Sequence, residues 1–348
     1  MNLSIFIRSF DGVHARQGMR RARCAGMKNG MIACVCVALG IGLGGCAEHN
    51  RAAHPDATTM KPAPATMPSY VQIAQRFDTR VARLNRVWSR VNLTLRQTKE
   101  SGKQSVDRAE GYLQLIQPAK TALSVNKLGE TYFYFGSDEK GYWWLDLSDT
   151  AHKVALYGTL AMATPARVGA LGLPVHPREL LDLLAITPLP ESGSVSWDGL
   201  AGQFVVRTAG AGGAWGDGGE WGDRKVWLEK QTLAPRRVEL LDRNGSVRAM
   251  STFEKYISVP VKGDGHVPPK MASRYRINLP GEGVELILEL YGATNKAMSD
   301  RAFDFAELVD AYGVDEIIDL DTQVPQETSS PAHSSVGKGI STGRGTSK

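Results

Sequence analysis

Cysteine is nearly absent from this chain of 348 residues: the four present, Cys24, Cys34, Cys36 and Cys46, all lie near the N-terminus. A segment beginning after them has no thiol for a disulfide, a thiolate metal site or a cysteine nucleophile, so its fold must rest on its apolar core. Histidine is equally sparse. Past the N-terminal region and before the C-terminal tail there are only His152, His176 and His266, none with a carboxylate or second histidine at a helical metal-ligand spacing. Each is expected to be a surface or satisfied polar residue, and no metal or cofactor is expected. Excess charge is also missing from most of the chain. Residues 1–45 hold six basic residues and one acid, so 41 Lys and Arg against 36 Asp and Glu become 35 against 35 beyond them. Nucleic-acid binding rests on clustered Lys and Arg, and no such partner is expected.

Long apolar runs are absent as well. The longest, Met31 to Gly45, spans 15 residues, short of the roughly 20 that a membrane-spanning helix needs. A basic segment with Arg16, Arg20, Arg21 and Arg23 precedes this run, and small residues close it, which is the layout of a cleaved secretory signal. Met27 would start a signal of ordinary length. Leu43-Gly44-Gly45-Cys46 resembles the lipobox of bacterial lipoproteins. The resemblance implies acylation of Cys46 and attachment to a membrane through the N-terminal lipid; Ala47 and Glu48, with no aspartate after the cysteine, favour the outer membrane.

Four segments follow: a signal over 1–45, a lipidated cysteine with a flexible tether over 46–69, a single domain over 70–321, and a Ser-, Gly- and Thr-rich disordered tail over 322–348. The domain opens with Tyr70, Ile73, Phe77, Val81, Leu84 and Val87 at three- and four-residue steps, the spacing of an amphipathic helix. From Ser89 the period becomes two, with Val91, Leu93 and Leu95 alternating with Asn92, Thr94 and Arg96. Further strands are expected at 107–117, 121–127, 131–137, 141–147, 152–158, 202–208, 224–230, 235–242, 246–257, 270–278 and 283–292. Asn244-Gly245 predicts a type I′ hairpin, and Asp138 to Gly141 a longer one. A second helix is expected from Pro177 to Ile186. Connections this short predict an antiparallel meander.

No catalytic set assembles from these residues. Gly193-Ser194-Val195-Ser196 lacks the second glycine of a nucleophile elbow, and the Gly-rich stretch from Gly210 to Gly219 has neither dinucleotide nor phosphate-loop spacing. Trp215 and Trp221 around that stretch suggest a loop that meets lipid or a partner. Asp146 with Asp149, and Glu285 with Glu289, most simply occupy a solvated face. The chain is expected not to be an enzyme.

What is present is apolar sheet. Val91, Leu93, Leu95, Leu113, Leu115, Leu123, Val125, Trp144, Leu240, Phe253, Tyr275, Leu286 and Leu288 are candidates for a face that walls a cavity. The element order, with Ala109-Glu110-Gly111-Tyr112-Leu113-Gln114-Leu115-Ile116-Gln117-Pro118, then Ser137-Asp138-Glu139-Lys140-Gly141-Tyr142-Trp143-Trp144 and later Lys225-Val226-Trp227-Leu228, resembles the LolA/LolB superfamily of lipoprotein carriers and receptors over about residues 70 to 310. That resemblance implies an incomplete antiparallel barrel of about 11 strands with the N-terminal and mid-chain helices as a lid. It further implies acyl chains or lipoprotein as cargo, and a monomer facing the periplasm. Arg96 is the candidate for that family's lid-contacting arginine.

Overall fold

Ser69 begins the first helix through a reciprocal cap. Its hydroxyl accepts from the Gln72 N–H at 3.3 Å, and the Gln72 side chain accepts from the Ser69 N–H at 2.9 Å, which satisfies two of the free donors at a helix start. The helix, α1 (Tyr70–Val81), buries Ile73, Phe77 and Val81. In the computed structural model, which describes residues 60–98, 102–169, 175–210, 221–261 and 267–322, that apolar stripe lies against one large sheet.

The sheet has 14 strands, not about 11. In chain order they are β1 (Arg86–Thr98), β2 (Gln104–Ile116), β3 (Lys120–Lys127), β4 (Glu130–Ser137), β5 (Gly141–Asp146) and β6 (Val154–Thr159), followed after a helical interlude by β7 (Ser194–Asp198), β8 (Gln203–Ala209), β9 (Asp223–Glu229), β10 (Pro235–Leu241), β11 (Val247–Ser258), β12 (Lys270–Leu279), β13 (Val284–Thr294) and β14 (Glu316–Asp319). Two meanders, β1 to β6 and β7 to β13, are joined where β1 pairs with β13, placing Leu93 opposite Leu288 and Leu95 opposite Leu286. The sheet is open, with β7 at one edge and β14 at the other. One pairing departs from the antiparallel expectation: β14 runs parallel to β6, because the chain returns to that edge by a long route through the second meander.

Between the meanders lie α2 (Pro165–Val168) and α3 (Glu179–Leu183). The helix expected from Pro177 to Ile186 is thus shortened to five residues, since Ala185 takes a positive φ of 51° and turns the chain out of helical geometry. The Asn244-Gly245 hairpin is also not the expected type. Only Gly245 has a positive φ there (82°), while the Asp242 carboxylate accepts from the N–H groups of Asn244 and Ser246, each at 2.8 Å. This is a longer loop closed by a left-handed glycine. The Asp138 loop forms where expected, its carboxylate accepting from Lys140 and Gly141 N–H at 2.8 and 2.7 Å.

Alternation along the strands sorts the residues to two faces. On the inner face Leu113, Leu123, Phe135, Trp144 and Leu156 form one cross-strand row, continuous with Tyr275, Val238 and Val226 in the main core. On the outer face of β3 to β6 a second core forms, in which Ala122, Tyr134, Trp143 and Leu145 are covered by Phe303 and by α4 (Phe305–Tyr312).

Candidate functional site

The inner face does not pack completely. Leu93 and Leu95 of β1, Leu123 and Val125 of β3, Phe133 and Phe135 of β4, Trp144 of β5, Ile277 and Leu279 of β12, and Val284 and Leu286 of β13 wall a cavity of about 120 Å³, which Val175, Leu180 and Leu183 cover. Every lining residue is apolar. Part of the reason for the hollow lies in β2, which places Ala109 opposite Leu93 and Gly111 between Val91 and Val125. A Cβ on Gly111 would stand 1.8 Å from the Ser124 carbonyl oxygen, so β2 approaches β3 too closely there to carry a side chain, and it contributes little bulk to the hollow.

The cover is held by charge. Glu179, fully buried, accepts from the Arg248 guanidinium with both carboxylate oxygens at 2.5 Å, and Oε2 also accepts from the His176 N–H at 2.9 Å. Arg248 donates besides to the carbonyls of Trp221 and Leu241 at 3.0 Å. Asp182 pairs with the buried Arg224, which also donates to Thr208 and Thr187. Two carboxylates of α3 are thus tied to arginines of β9 and β11. From the other side Arg80 of α1 donates to the Ala185 carbonyl at 2.7 Å, and the Gln117 amide donates to the carbonyls of Val81, Leu84 and Ile186.

Burial is the largest influence on the titration of Glu179 and of the neighbouring His176. It pushes the Glu179 carboxyl above its ordinary range, against the opposing pull of Arg248. It pulls His176 down to about 4, helped by the charges of Arg178 and Arg248. His176 is therefore a neutral, satisfied core histidine: its Nδ1 accepts from the Arg178 N–H at 3.2 Å, and its ring meets Trp221 edge-on at 5.3 Å. His152 is exposed and 3.0 Å from Glu316.

Six of the thirteen residues read as cavity walls come together around the hollow: Leu93, Leu95, Leu123, Val125, Trp144 and Leu286. Val91, Leu113, Leu115, Leu240, Phe253, Tyr275 and Leu288 are buried in the surrounding core instead. Two other expectations fail. Arg96 does not touch the cover; it points to the outer face and pairs with Glu285 at 2.8 Å, because its position in β1 is of opposite parity to the cavity residues. Trp221 is not an exposed contact residue but is 5% exposed, donating to the Ala163 carbonyl at 3.0 Å beneath the Arg248 guanidinium. Trp215, His266, Cys46 and the Leu43, Gly44 and Gly45 before it lie outside the described residues. Phe133 and Phe135 were missed although their two-residue spacing carries the same signal as Leu123 and Val125. Among the described residues no group of three or more His, Cys, Asp or Glu is placed to hold a metal ion, and no helix is long and apolar enough to cross a membrane.

The architecture defines a class, an open antiparallel half-barrel with a short helical cover over an apolar hollow. No family model and no curated protein matches the chain. Solved structures similar to it include a DUF1329 family protein from Desulfovibrio piger, 12% identical with TM-score 0.47 over 68% of this chain and 96% of that one. A LolA superfamily protein from Nitrosomonas europaea is 10% identical with TM-score 0.46 over 69% and 99% of the two chains. A domain from Vibrio parahaemolyticus, described as an outer membrane lipoprotein-sorting protein, is 13% identical with TM-score 0.45 over 68% and 97%.

Proposed function

We propose that this chain is a non-enzymatic, lipid-anchored protein of the cell envelope that binds an acyl chain, free or on a lipoprotein, inside its half-barrel, with a role in lipoprotein sorting. The observation that supports this best is the wholly apolar lining of a hollow that lies under a separately latched cover. Each buried methylene would contribute about 0.8 kcal/mol. At about 120 Å³ the hollow is near the size of a cavity that admits benzene, roughly 150 Å³. A full chain therefore enters only as Leu180 and Leu183 withdraw, and α3 has to leave its two ion pairs. Membrane attachment through Cys46 and an outer-membrane address complete the proposal.

Native mass spectrometry of the protein purified from a bacterial envelope tests the binding. Co-purified acyl lipid, lost on Leu93→Trp, is the expected result; a lipid-free protein that takes up no added lauric acid refutes it. Palmitate labelling tests the anchor separately, with Cys46→Ser as the control. One observation favours a second reading, a module that contacts another protein and carries no lipid: the hollow is smaller than the roughly 300–1,000 Å³ of ordinary ligand pockets. Leu286→Asp separates the two, because a carrier loses ligand while folded and a filled module unfolds.

A further inference from the structure

The outer face of the sheet carries two depressions that run into each other. One, of about 320 Å³, lies between Tyr291 of β13 and Tyr112 of β2; the next, of about 450 Å³, continues over β3 and β4 to α4. Tyr112 and Asn126 line both. Register puts the lining side chains on one face: Tyr291, Arg90, Tyr112, Ser124 and Tyr134 stand opposite one another strand by strand, and Asn92, Glu110 and Asn126 form the neighbouring row. This is the face of the second core, where Tyr134 packs under α4, and it is turned away from the apolar hollow. Val91 and Gly111, of inward parity, lend only backbone to the floor. The result is a groove that crosses the strands from β13 to α4.

We propose that this groove binds an uncharged oligosaccharide, extended across the strands with sugar rings stacked on Tyr291 and Tyr112. The two tyrosines are 43% and 41% exposed, and such a ring offers a flat apolar surface to the C–H face of a pyranose while its phenol stays in water. Adjacent strands lie about 4.8 Å apart, so tyrosines on β13 and β2, with β1 between them, are set roughly 10 Å apart. That is close to the length of two pyranose units in an extended β-1,4-linked chain. Arg90, Asn92 and Glu110 are exposed, and their side chains make no hydrogen bond or ion pair with another described residue. The Asn126 Oδ1 is buried without a hydrogen-bond partner among the described residues, and a buried acceptor of this kind calls for a donor. Together these groups set guanidinium and amide donors beside carboxylate and amide acceptors, the mixture that a row of hydroxyls needs. Arg90 and Glu110 cancel in charge, and Arg301 at the far end is paired with Glu307 at 2.8 Å, so the groove has no excess charge to select an anion or a cation. The site is independent of acyl-chain binding, because the two lie on opposite faces of the sheet.

Isothermal titration of the full-length protein with chitohexaose tests this. Binding is expected, and it should be weaker for chitobiose, which is too short to rest on both tyrosines. Tyr112→Ala and Tyr291→Ala should each weaken the hexamer about tenfold, the scale of one lost stacking contact, whereas Tyr112→Phe keeps the ring and should retain binding. Both positions are at the surface, and an unchanged thermal melt of each variant shows that the fold persists. Hexagalacturonate, equally long but anionic, should bind less well. Absence of chitohexaose binding at millimolar concentration would overturn the proposal, as would binding that survives both alanine substitutions. Tighter binding of hexagalacturonate would overturn the preference for an uncharged chain. Self-association that is lost on Tyr112→Ala, with no glycan bound, would assign the face to a second copy of this chain instead.

Discussion

The two halves of the sheet are built differently. Strands β3 to β6 are covered on both faces: Tyr142, Trp143 and Leu145 of β5 are each 0% exposed, with the main core on one side and Phe303, Phe305 and Leu308 on the other. Among the described residues, strands β11 to β13 are covered on one face only, and their outer side carries Arg274, Arg276, Glu254, Glu285 and Glu289 in a lattice of ion pairs. Sheets buried on both faces read as continuous apolar runs and half-exposed sheets as alternation, which is the contrast between Tyr142-Trp143-Trp144-Leu145 and Glu285-Leu286-Ile287-Leu288-Glu289. The hollow straddles the two. One wall is the doubly packed half, held on both faces, while the cover is clasped by arginines rooted in β9 and β11. A layout of this kind suits a site in which the wall stays fixed and the cover moves.

Trp143→Ala should test the contrast most severely. It removes the largest outer-face side chain under α4, in contact with Phe305 at 5.7 Å between ring centroids, and should cost roughly 3–5 kcal/mol in chemical denaturation. Gly136→Ala should strain the same place, since a Cβ there would stand 2.2 Å from the Trp143 indole nitrogen. If Trp143→Ala costs no more than a substitution on the charged outer face of β12, the second core is not one. On the other half, Glu179→Gln should cost about 3 kcal/mol, because Arg248 would be left buried without its counter-charge. Hydrogen exchange should locate that loss, speeding at residues 179–186 while the amides of β5 stay protected; uniform loosening would show that the cover is not a separate unit.

How far these features were legible in the sequence follows the same division. α1 and the half-exposed strands announce themselves by period, and six cavity residues follow from alternation in β1, β3, β5 and β13. The outer layer did not, although its signals exist: Asp304 caps α4 by accepting from the Glu307 N–H at 3.0 Å, and Gly313 ends it at a φ of 61°. A helix of eight residues followed by the four-residue β14 offers too short a window for periodicity to stand out. β7, at five residues, was lost for the same reason. The latch was beyond reach, because Asp182 and Glu179 meet arginines 42 and 69 positions away, and only the folded sheet brings such partners together.

His176 gives a smaller effect that probes the cover through pH. Unfolded, it takes up a proton as pH falls below about 6.5, whereas the native side chain resists until about 4. Its folded value is lowered, so the unfolded state binds more protons in that interval and stability declines on acidification, by about 1.4 kcal/mol per pH unit at most. Glu179, pushed upward, works in the opposite sense as it gains a proton in the native state. Denaturant melts at pH 7 and pH 5 should therefore differ by roughly 2 kcal/mol less in His176→Phe than in the parent chain, with the edge contact to Trp221 retained by the ring. An unchanged difference would remove His176 from the account of the cover's acid sensitivity.

The smallest effect belongs to the exposed lattice on β12 and β13. Arg276 and Glu285 lie 2.6 Å apart with side chains 34% and 21% exposed, so water and salt screen most of their attraction. A double-mutant cycle with Arg276→Ala and Glu285→Ala should return roughly 0.2–1 kcal/mol, falling further when ionic strength is raised from 0.05 to about 1 M, where the screening length shrinks to about 3 Å. The shared geometry of Arg96, Glu285 and Arg276 leaves Glu285 serving two cations, so removing it should cost more than removing either arginine. A coupling well above that range, insensitive to salt, would mean that this face is covered in solution, and the two halves of the sheet would then be alike in having both sides packed.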